Sequence, residues 1–556
     1  MNVDGIEVEK RKSRTKWLIV WLIAAVPVML ISIVILDRNL PSPPLVVSKA
    51  TTRITSPLDK NGLPDYVAYL RALESEGVTA ENNAAIPLWR AMWPGDLDAE
   101  YHEPFCKALG MSVPTYPDVL GEQYTAIFEQ IEGESQDESE DDADGTYGGR
   151  GERIDDLMTT TCSAPWTTEQ VPKLARWLQA NQERIDLLVD AGHREKYYSP
   201  TPQSTVGSQE YSLIETLMPD VNLLRNAARI LSCRAMWHAG EGRSAEAWRD
   251  LEAAYGIAQH SSGKHTLVQQ LVGGAIEGMA ANCLPHLLHE SSPSAELARE
   301  ILGGLQSRPL PMDLAKSIDI GERSMCLDAL KRMAVPSNDG ASQFGMEDLG
   351  VDYAQPLRFS AGARMDWNQV FRNVNGWYDR IMEVTRLPRD EREAALAQLE
   401  ADFQSTEPSP VMMAFSLVNA SARTEALSAM FAGLFIPAIT SVTKAEVRQE
   451  ASRTLSITAA ALAVFRAENG KYPESLDAIV PSIVSTIPLD PYSGQPPIYQ
   501  RRGDGYLLYS VFENKTDDGG DDPSGEIING EWVSEEADVP GNQTDMVIRV
   551  PRKPVR

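Results

Sequence analysis

Residues Trp17 to Leu36 (WLIVWLIAAVPVMLISIVIL) run for twenty positions without a charge, and thirteen of them are Leu, Ile or Val. A helix of that length rises about 30 Å, the thickness of a bilayer's hydrocarbon core, so the stretch predicts a transmembrane helix in contact with membrane lipid. Lys10, Arg11, Lys12, Arg14 and Lys16 precede it, and only Arg38 and Lys49 follow closely. That bias puts the N-terminus in the cytoplasm and everything from residue 37 onward outside it. A cleaved secretory signal is the rival reading, but such a signal has an apolar core of about 7 to 15 residues with a small-x-small site close behind it. Here the nearest such pattern is the distant Ser48-Lys49-Ala50.

Charge narrows the partners. The chain holds 51 Lys and Arg against 79 Asp and Glu, a net charge of −28. Such a surface repels nucleic acid and favours cationic partners or divalent metal. The five cysteines, Cys106, Cys162, Cys233, Cys283 and Cys326, are too scattered for a disulfide framework or a zinc site. An outside location permits disulfides, and Cys106 with Cys162 would staple the base of an acidic insertion, although spacing alone leaves connectivity open. Cys233, Cys283 and Cys326 lie in helical patterning and read as buried thiols.

In chain order the sequence predicts a basic cytoplasmic tail at 1–16, the transmembrane helix at 17–36 and a stalk rich in Pro, Ser and Thr at 37–64. A helical ectodomain follows at 65–442. Within it, nine acidic residues between Glu129 and Asp144 and a glycine-rich run to Gly151 predict a disordered insertion near 129–151. Val171, Leu174, Trp177, Leu178, Ile185, Leu188 and Val189 share an apolar helical face, as do Trp367, Val370, Phe371, Val374, Trp377, Tyr378, Ile381 and Met382. Between them, Val221 to Ala239 and Ala245 to Gln259 predict a helical hairpin. Its Gly242, Ala247, Leu251 and Ala254 resemble the second half of a tetratricopeptide repeat. Ala426 to Val442 is uncharged for seventeen residues and reads as a short core helix, with a second membrane span as the alternative.

Residues 443–556 read as a small α+β module. A helix from Lys444 to Glu468 stops at Asn469-Gly470, and two short strands, Ile498 to Arg501 and Tyr506 to Phe512, flank Gly503-Asp504-Gly505. Gly470, Tyr472 and Pro473, then Pro488, Asp490 and Pro491, then Tyr506, Tyr509 and Ser510, and finally an acidic glycine-containing loop occur in this order. The order resembles the C-terminal half of the major pseudopilin of type II secretion, over about residues 455–525. In that family the hydrophobic helix runs straight into the small domain, whereas here the helical body separates the two. The segments NGLPDYVAYLRAL, AENNAA and DWNQVFRNVNGWYDR look like a group of uncharacterised bacterial single-span membrane proteins with the same C-terminal pattern. The resemblance implies an anchor in the bacterial inner membrane, with the ectodomain periplasmic or extracellular. It also implies calcium in the acidic loop, where Asn514, Asp517, Asp518, Asp521 and Asp522 offer hard oxygens around flexible glycines.

Local motifs point away from catalysis. Gly240-Glu241-Gly242-Arg243-Ser244-Ala245 has the spacing of a dinucleotide fingerprint but follows a helix rather than the strand that fingerprint needs. His286 and His289 lack the spacing of a metalloprotease helix, and no GxSxG occurs. The expectation is a mainly α, membrane-anchored extracytoplasmic scaffold that contacts proteins of the cell envelope. The alternatives are an extracytoplasmic hydrolase whose site is assembled across distant helices, and an accessory component of a type II secretion or pilus-like system.

Overall fold

Helix starts follow side-chain chemistry. Thr266 accepts a hydrogen bond from the amide of Gln269, Ser294 from that of Leu297, and Asp366 from that of Gln369. Each satisfies one of the donors that the first turn of a helix leaves open. The computed structural model describes residues 29, 32, 40–116, 118–135, 157–205, 213, 219–309, 314–335, 364–406, 409–416, 419–433, 436–520, 526–528, 531–533 and 545–551. Apart from Met29 and Ser32, the apolar segment Trp17–Leu36 lies outside them, and no helix among the described residues is long and apolar enough to cross a membrane.

The described residues are mainly helical. In chain order the helices are α1 (Tyr66–Glu74), α2 (Ala85–Met92), α3 (His102–Leu109), α4 (Leu120–Ser135), α5 (Pro172–Ala180), α6 (Gln182–His193), α7 (Pro219–Gly240) and α8 (Ser244–Ser262). They continue as α9 (Leu267–Glu290), α10 (Ala295–Ser307), α11 (Arg323–Ala334), α12 (Trp367–Thr385), α13 (Arg389–Thr406), α14 (Pro410–Ser416), α15 (Ala420–Gly433) and α16 (Ile436–Asn469). Strands β1 (Ile498–Arg502), β2 (Gly505–Ser510) and β5 (Met546–Val550) form an antiparallel sheet in the order β1-β2-β5. Strands β3 (Glu526–Ile528) and β4 (Glu531–Val533) pair separately.

The chain divides into two compact units, and the division differs from the sequence-based one. One unit takes its described residues from Met1–Tyr69, Ser212–Ile214 and Arg323–Thr440. The other takes them from Leu70–Tyr211, Glu215–Glu322 and Ser441–Arg556, so the C-terminal module belongs to the same unit as α2 to α10. The reason is the core. Leu455, Ala459, Leu462, Tyr472 and Tyr506 are buried in one cluster with Trp89, Leu231 and Leu251.

In the first unit, residues 40–64 are not a free stalk. Asn368 on α12 donates to the carbonyl of Pro44 (2.9 Å) and accepts from the amide of Val46 (2.8 Å), gripping that backbone from both sides. Asn375 donates to the carbonyl of Thr51, Tyr66 donates to that of Thr52, and both threonines are buried. Pro, Ser and Thr suit an extended backbone whose hydrogen bonds must go elsewhere, and here side chains of α12 and Tyr66 receive part of them. The uncharged stretch 426–442 is divided between α15 and α16, and Ala426, Leu427, Phe431 and Val442 are buried. Of the expected disordered insertion near 129–151, residues 129–135 are helical as the end of α4; the rest lies outside the described residues.

In the second unit α8 packs against α6, α7 and α9. The α7–α8 hairpin turns at Gly242, whose φ of 73° lies in the left-handed region that favours glycine. The GxGxxA run is therefore a helix-to-helix turn. The α6–α7–α8 contact is closed by charge: the buried Arg234 on α7 holds both carboxylate oxygens of the buried Asp250 on α8 at 2.7 Å and reaches Asp186 on α6 at 3.0 Å. His238, deprived of solvent and facing Arg243 and Arg234, is pushed down to about 3 and stays neutral.

Candidate functional site

The C-terminal module is where separate sequence motifs meet. Tyr472, in the Gly470-to-Pro473 turn that ends α16, packs edge-on against Tyr506 of β2 with ring centroids 4.8 Å apart. Asp490, in the Pro488-to-Pro491 segment, is buried and accepts a 2.7 Å hydrogen bond from Ser510 at the end of β2 and a 2.9 Å one from Ser493. Tyr509, also on β2, donates to Asp517 in the acidic loop (2.9 Å). The three motifs and the loop thus form one connected structure around β2, whose residues are all buried.

The loop after β2 is tightly bent: Phe512, Lys515, Gly519 and Gly520 have φ of 51°, 55°, 81° and 65°. Asp517 accepts from the amide of Gly519 (2.9 Å), and Asn514 donates to Asp518 (2.7 Å). Asp521 and Asp522 lie outside the described residues. Of the five residues singled out in the sequence, the structure therefore gathers Asn514, Asp517 and Asp518 into one loop.

It adds one that sequence reasoning passed over. Asp545, just ahead of β5, is fully buried, and its Oδ2 accepts from the amides of Asp518 (3.1 Å) and Gly520 (2.8 Å). Its Oδ1 has no hydrogen-bond partner among the described residues. Burial raises the Asp545 carboxyl above its ordinary value, and the nearby Asp518 and Asp517 carboxylates add to the effect. The signal available in the sequence was a lone aspartate before the alternating run MVIRV, which pairs with β2 from Tyr506 opposite Val550 to Ser510 opposite Met546.

Carboxylate oxygens are the ligand type that a hard cation takes. Asp517, Asp518 and Asp545 supply carboxylate oxygens, and calcium takes six to eight such ligands including carbonyls and water. Among the described residues no group of three or more His, Cys, Asp or Glu side chains is placed to hold a metal ion. What the described part supplies is a buried carboxylate with one oxygen unpaired beside two further carboxylates, an arrangement that costs free energy without a cation. A calcium ion there would satisfy the unpaired oxygen and offset the mutual repulsion.

A small recess in the same unit has Tyr255, Glu277, Arg308, Arg453 and Ser456 in its lining beside the apolar Leu305. Arg453 donates to the carbonyls of Pro309 (2.6 Å) and Arg308, and Arg308 Nε has no partner among the described residues. Burial pushes the Glu277 carboxyl up to about 7 against the pull of Arg453 and Arg308. A carboxyl raised in the folded state is neutral at no cost below its unfolded value and penalises folding as pH rises between the two values. Stability is therefore expected to fall from pH 4.5 to 7 through this group. Glu277→Gln removes the penalty, and urea denaturation should find the variant more stable than the parent by about 2 kcal/mol at pH 8, allowing for partial solvent access, with the gap closing toward pH 5.

Other candidates resolve structurally. His289 stacks on Tyr472, with centroids 6.1 Å apart, and its carbonyl accepts from Arg466, so it belongs to the joint between α9 and α16. Cys106 and Cys162 are both free thiols, and Cys162 meets Tyr124 and Cys283 rather than Cys106. Comparison of the whole chain with protein-family models, with curated proteins and with solved structures finds no match.

Proposed function

We propose that the protein is a helical scaffold anchored in the bacterial inner membrane by Trp17–Leu36, with its body in the periplasmic or extracellular space and a pseudopilin-like C-terminal module that calcium locks into its protein-binding form. The observation that carries the calcium part is the unpaired Oδ1 of the buried Asp545 beside Asp517 and Asp518. Those residues hold the ion, with Asn514 as a further oxygen donor from the same loop; Asp521 and Asp522, expected from the sequence to join them, lie outside the described residues. Calcium here does no chemistry on a substrate. It draws the loop onto β5 and so fixes the surface that the loop and the β1-β2-β5 sheet offer to a partner.

Thermal denaturation of the full chain tests this directly. A cation that binds only the folded form at tenfold excess over its Kd stabilises by about 1.4 kcal/mol, so millimolar calcium should raise the Tm. Asp545→Asn should abolish the rise while leaving the calcium-free protein at least as stable, because it removes the repelled charge. A Tm that ignores calcium dismisses the site. The anchor is tested by protease treatment of spheroplasts, where cleavage beyond residue 37 is expected and full protection overturns the orientation.

The order of motifs around β2 also favours a role as accessory component of a type II secretion or pilus-like system, since these are the residues that the pseudopilin resemblance rests on. Co-purification with the pseudopilins of the same cell would support that role, and their absence from a calcium-containing pull-down would count against it.

A further inference from the structure

Helix α14 turns an aromatic side chain outward. Phe415 keeps 59 % of its surface open, and Met412 and Met413 on the same short helix are half-buried. From Pro408 to Ala422 the sequence holds no Asp, Glu, Lys or Arg. One exposed phenylalanine alone would mean little. Its position gives it meaning. Arg423, fully buried in the first turn of α15, donates to the carbonyl of Ser416 at the end of α14 (3.0 Å) and, through two nitrogens, to that of Arg364 (3.0 and 3.2 Å). The next residue, Met365, gives its amide to the hydroxyl of Ser42 (3.0 Å). Ser42 lies six residues beyond Leu36, and six residues span at most about 20 Å. Leu40 and Val46, on either side of Ser42, are exposed as well. A short run of hydrogen bonds in the first unit thus ties the end of α14 to the place where the chain emerges from its apolar segment.

We infer that α14 is a second membrane contact, lying against the bilayer that Trp17–Leu36 spans, with Phe415 inserted among lipid acyl chains at the headgroup boundary. This rests on the anchor proposed above. The size of the face selects lipid over protein. Seven helical residues are about 10 Å long, whereas a stable protein interface covers about 800 Å² on each partner. A bilayer already held by the same chain needs no such area, because tethering makes the second contact intramolecular. Charge selects the mode of contact. The stretch offers no Lys or Arg to anionic headgroups and the chain as a whole is acidic, so apolar insertion holds it rather than electrostatic attraction. With two points of attachment instead of one, the first unit keeps a fixed face toward the membrane.

The test uses the full chain reconstituted in phosphatidylcholine vesicles, with p-benzoylphenylalanine placed in turn at Phe415, Met412, Val26 and Arg386. After irradiation, lipid adducts are measured by mass spectrometry. Val26 reports on the anchor. Arg386 is exposed at the far end of α12, about 28 Å along the helix axis from Trp367. Lipid adducts are expected at 26 and at 412 or 415, several-fold above the yield at 386. An adduct at 26 with none at either 412 or 415, or cross-links from these two to protein in place of lipid, overturns the inference and leaves the anchor standing. A yield at 386 equal to that at 415 overturns it too, because the contact then has no preferred face. No adduct at 26 overturns the anchor, and the inference with it.

Discussion

Arg234→Met lowers the stability of the protein by about 4 kcal/mol, the loss expected when one partner of a buried ion pair is removed and the other is left in the core. Arg234 is almost wholly buried, and it is the group that occupies both oxygens of the fully buried Asp250. Methionine fills much of the same volume, so the loss reports the stranded carboxylate rather than a cavity. Burial already raises the Asp250 carboxyl above its ordinary value even with the arginine in place. Without Arg234 the group takes up a proton more readily still, so the destabilisation should shrink as the pH is lowered toward 4. Urea denaturation at pH 7.5 and pH 5 measures both values. The double variant Arg234→Met/Asp250→Leu should recover most of the loss, because replacing the whole pair by apolar groups is often close to neutral. A double variant as unstable as the single one would show that the pair's role lies in shape and not in charge.

Gly256→Ala should cost about 3 kcal/mol through a different mechanism. At this crossing of α8 and α6 the two backbones touch: a Cβ on Gly256 would come within 1.8 Å of the carbonyl oxygen of Gly192, and one on Gly192 within 2.3 Å of that of Ala253. Backbone cannot rotate away as a side chain does, so the helices must separate, and the packing and hydrogen bonds beside the contact go with them. One of those is the bond between the His260 ring and the Ala191 carbonyl (3.0 Å). The control is Gly303→Ala on the exposed face of α10, where a Cβ meets nothing within 4 Å. There the substitution should stabilise by about 0.5 to 1 kcal/mol, because alanine loses less conformational entropy in a helix than glycine does. Urea midpoints for the two variants should move in opposite directions. Equal shifts would mean that helix propensity, not the close approach, governs Gly256.

These predictions rest on contacts of very different legibility. The amphipathic stripe from Trp367 to Met382 became α12, and the hairpin around Gly242 became α7 and α8, with boundaries a few residues from those expected. Periodicity and caps are properties of neighbouring residues, so a single chain displays them openly. The link between Asp490 and Ser510 and that between Tyr472 and Tyr506 join motifs already noticed in order along the chain. Asp545 was different. An isolated aspartate reads as solvated surface until β5 pairs with β2 and carries it under the acidic loop.

The sequence by itself determined the helical character of the chain, its apolar N-terminal segment, its acidic balance and the small sheet that ends it, because each follows from the kinds and spacing of adjacent residues. Only the tertiary structure decided that the C-terminal module shares a unit with α2 to α10, that the backbone of residues 44–51 is bound by α12, that Arg234 closes on Asp250, and that Cys162 meets Tyr124 instead of Cys106. Burial of a charge or a thiol is set by which distant surfaces arrive over it. Those surfaces are chosen by the fit of whole helices, such as the glycine contact between α6 and α8, and no local pattern encodes that fit.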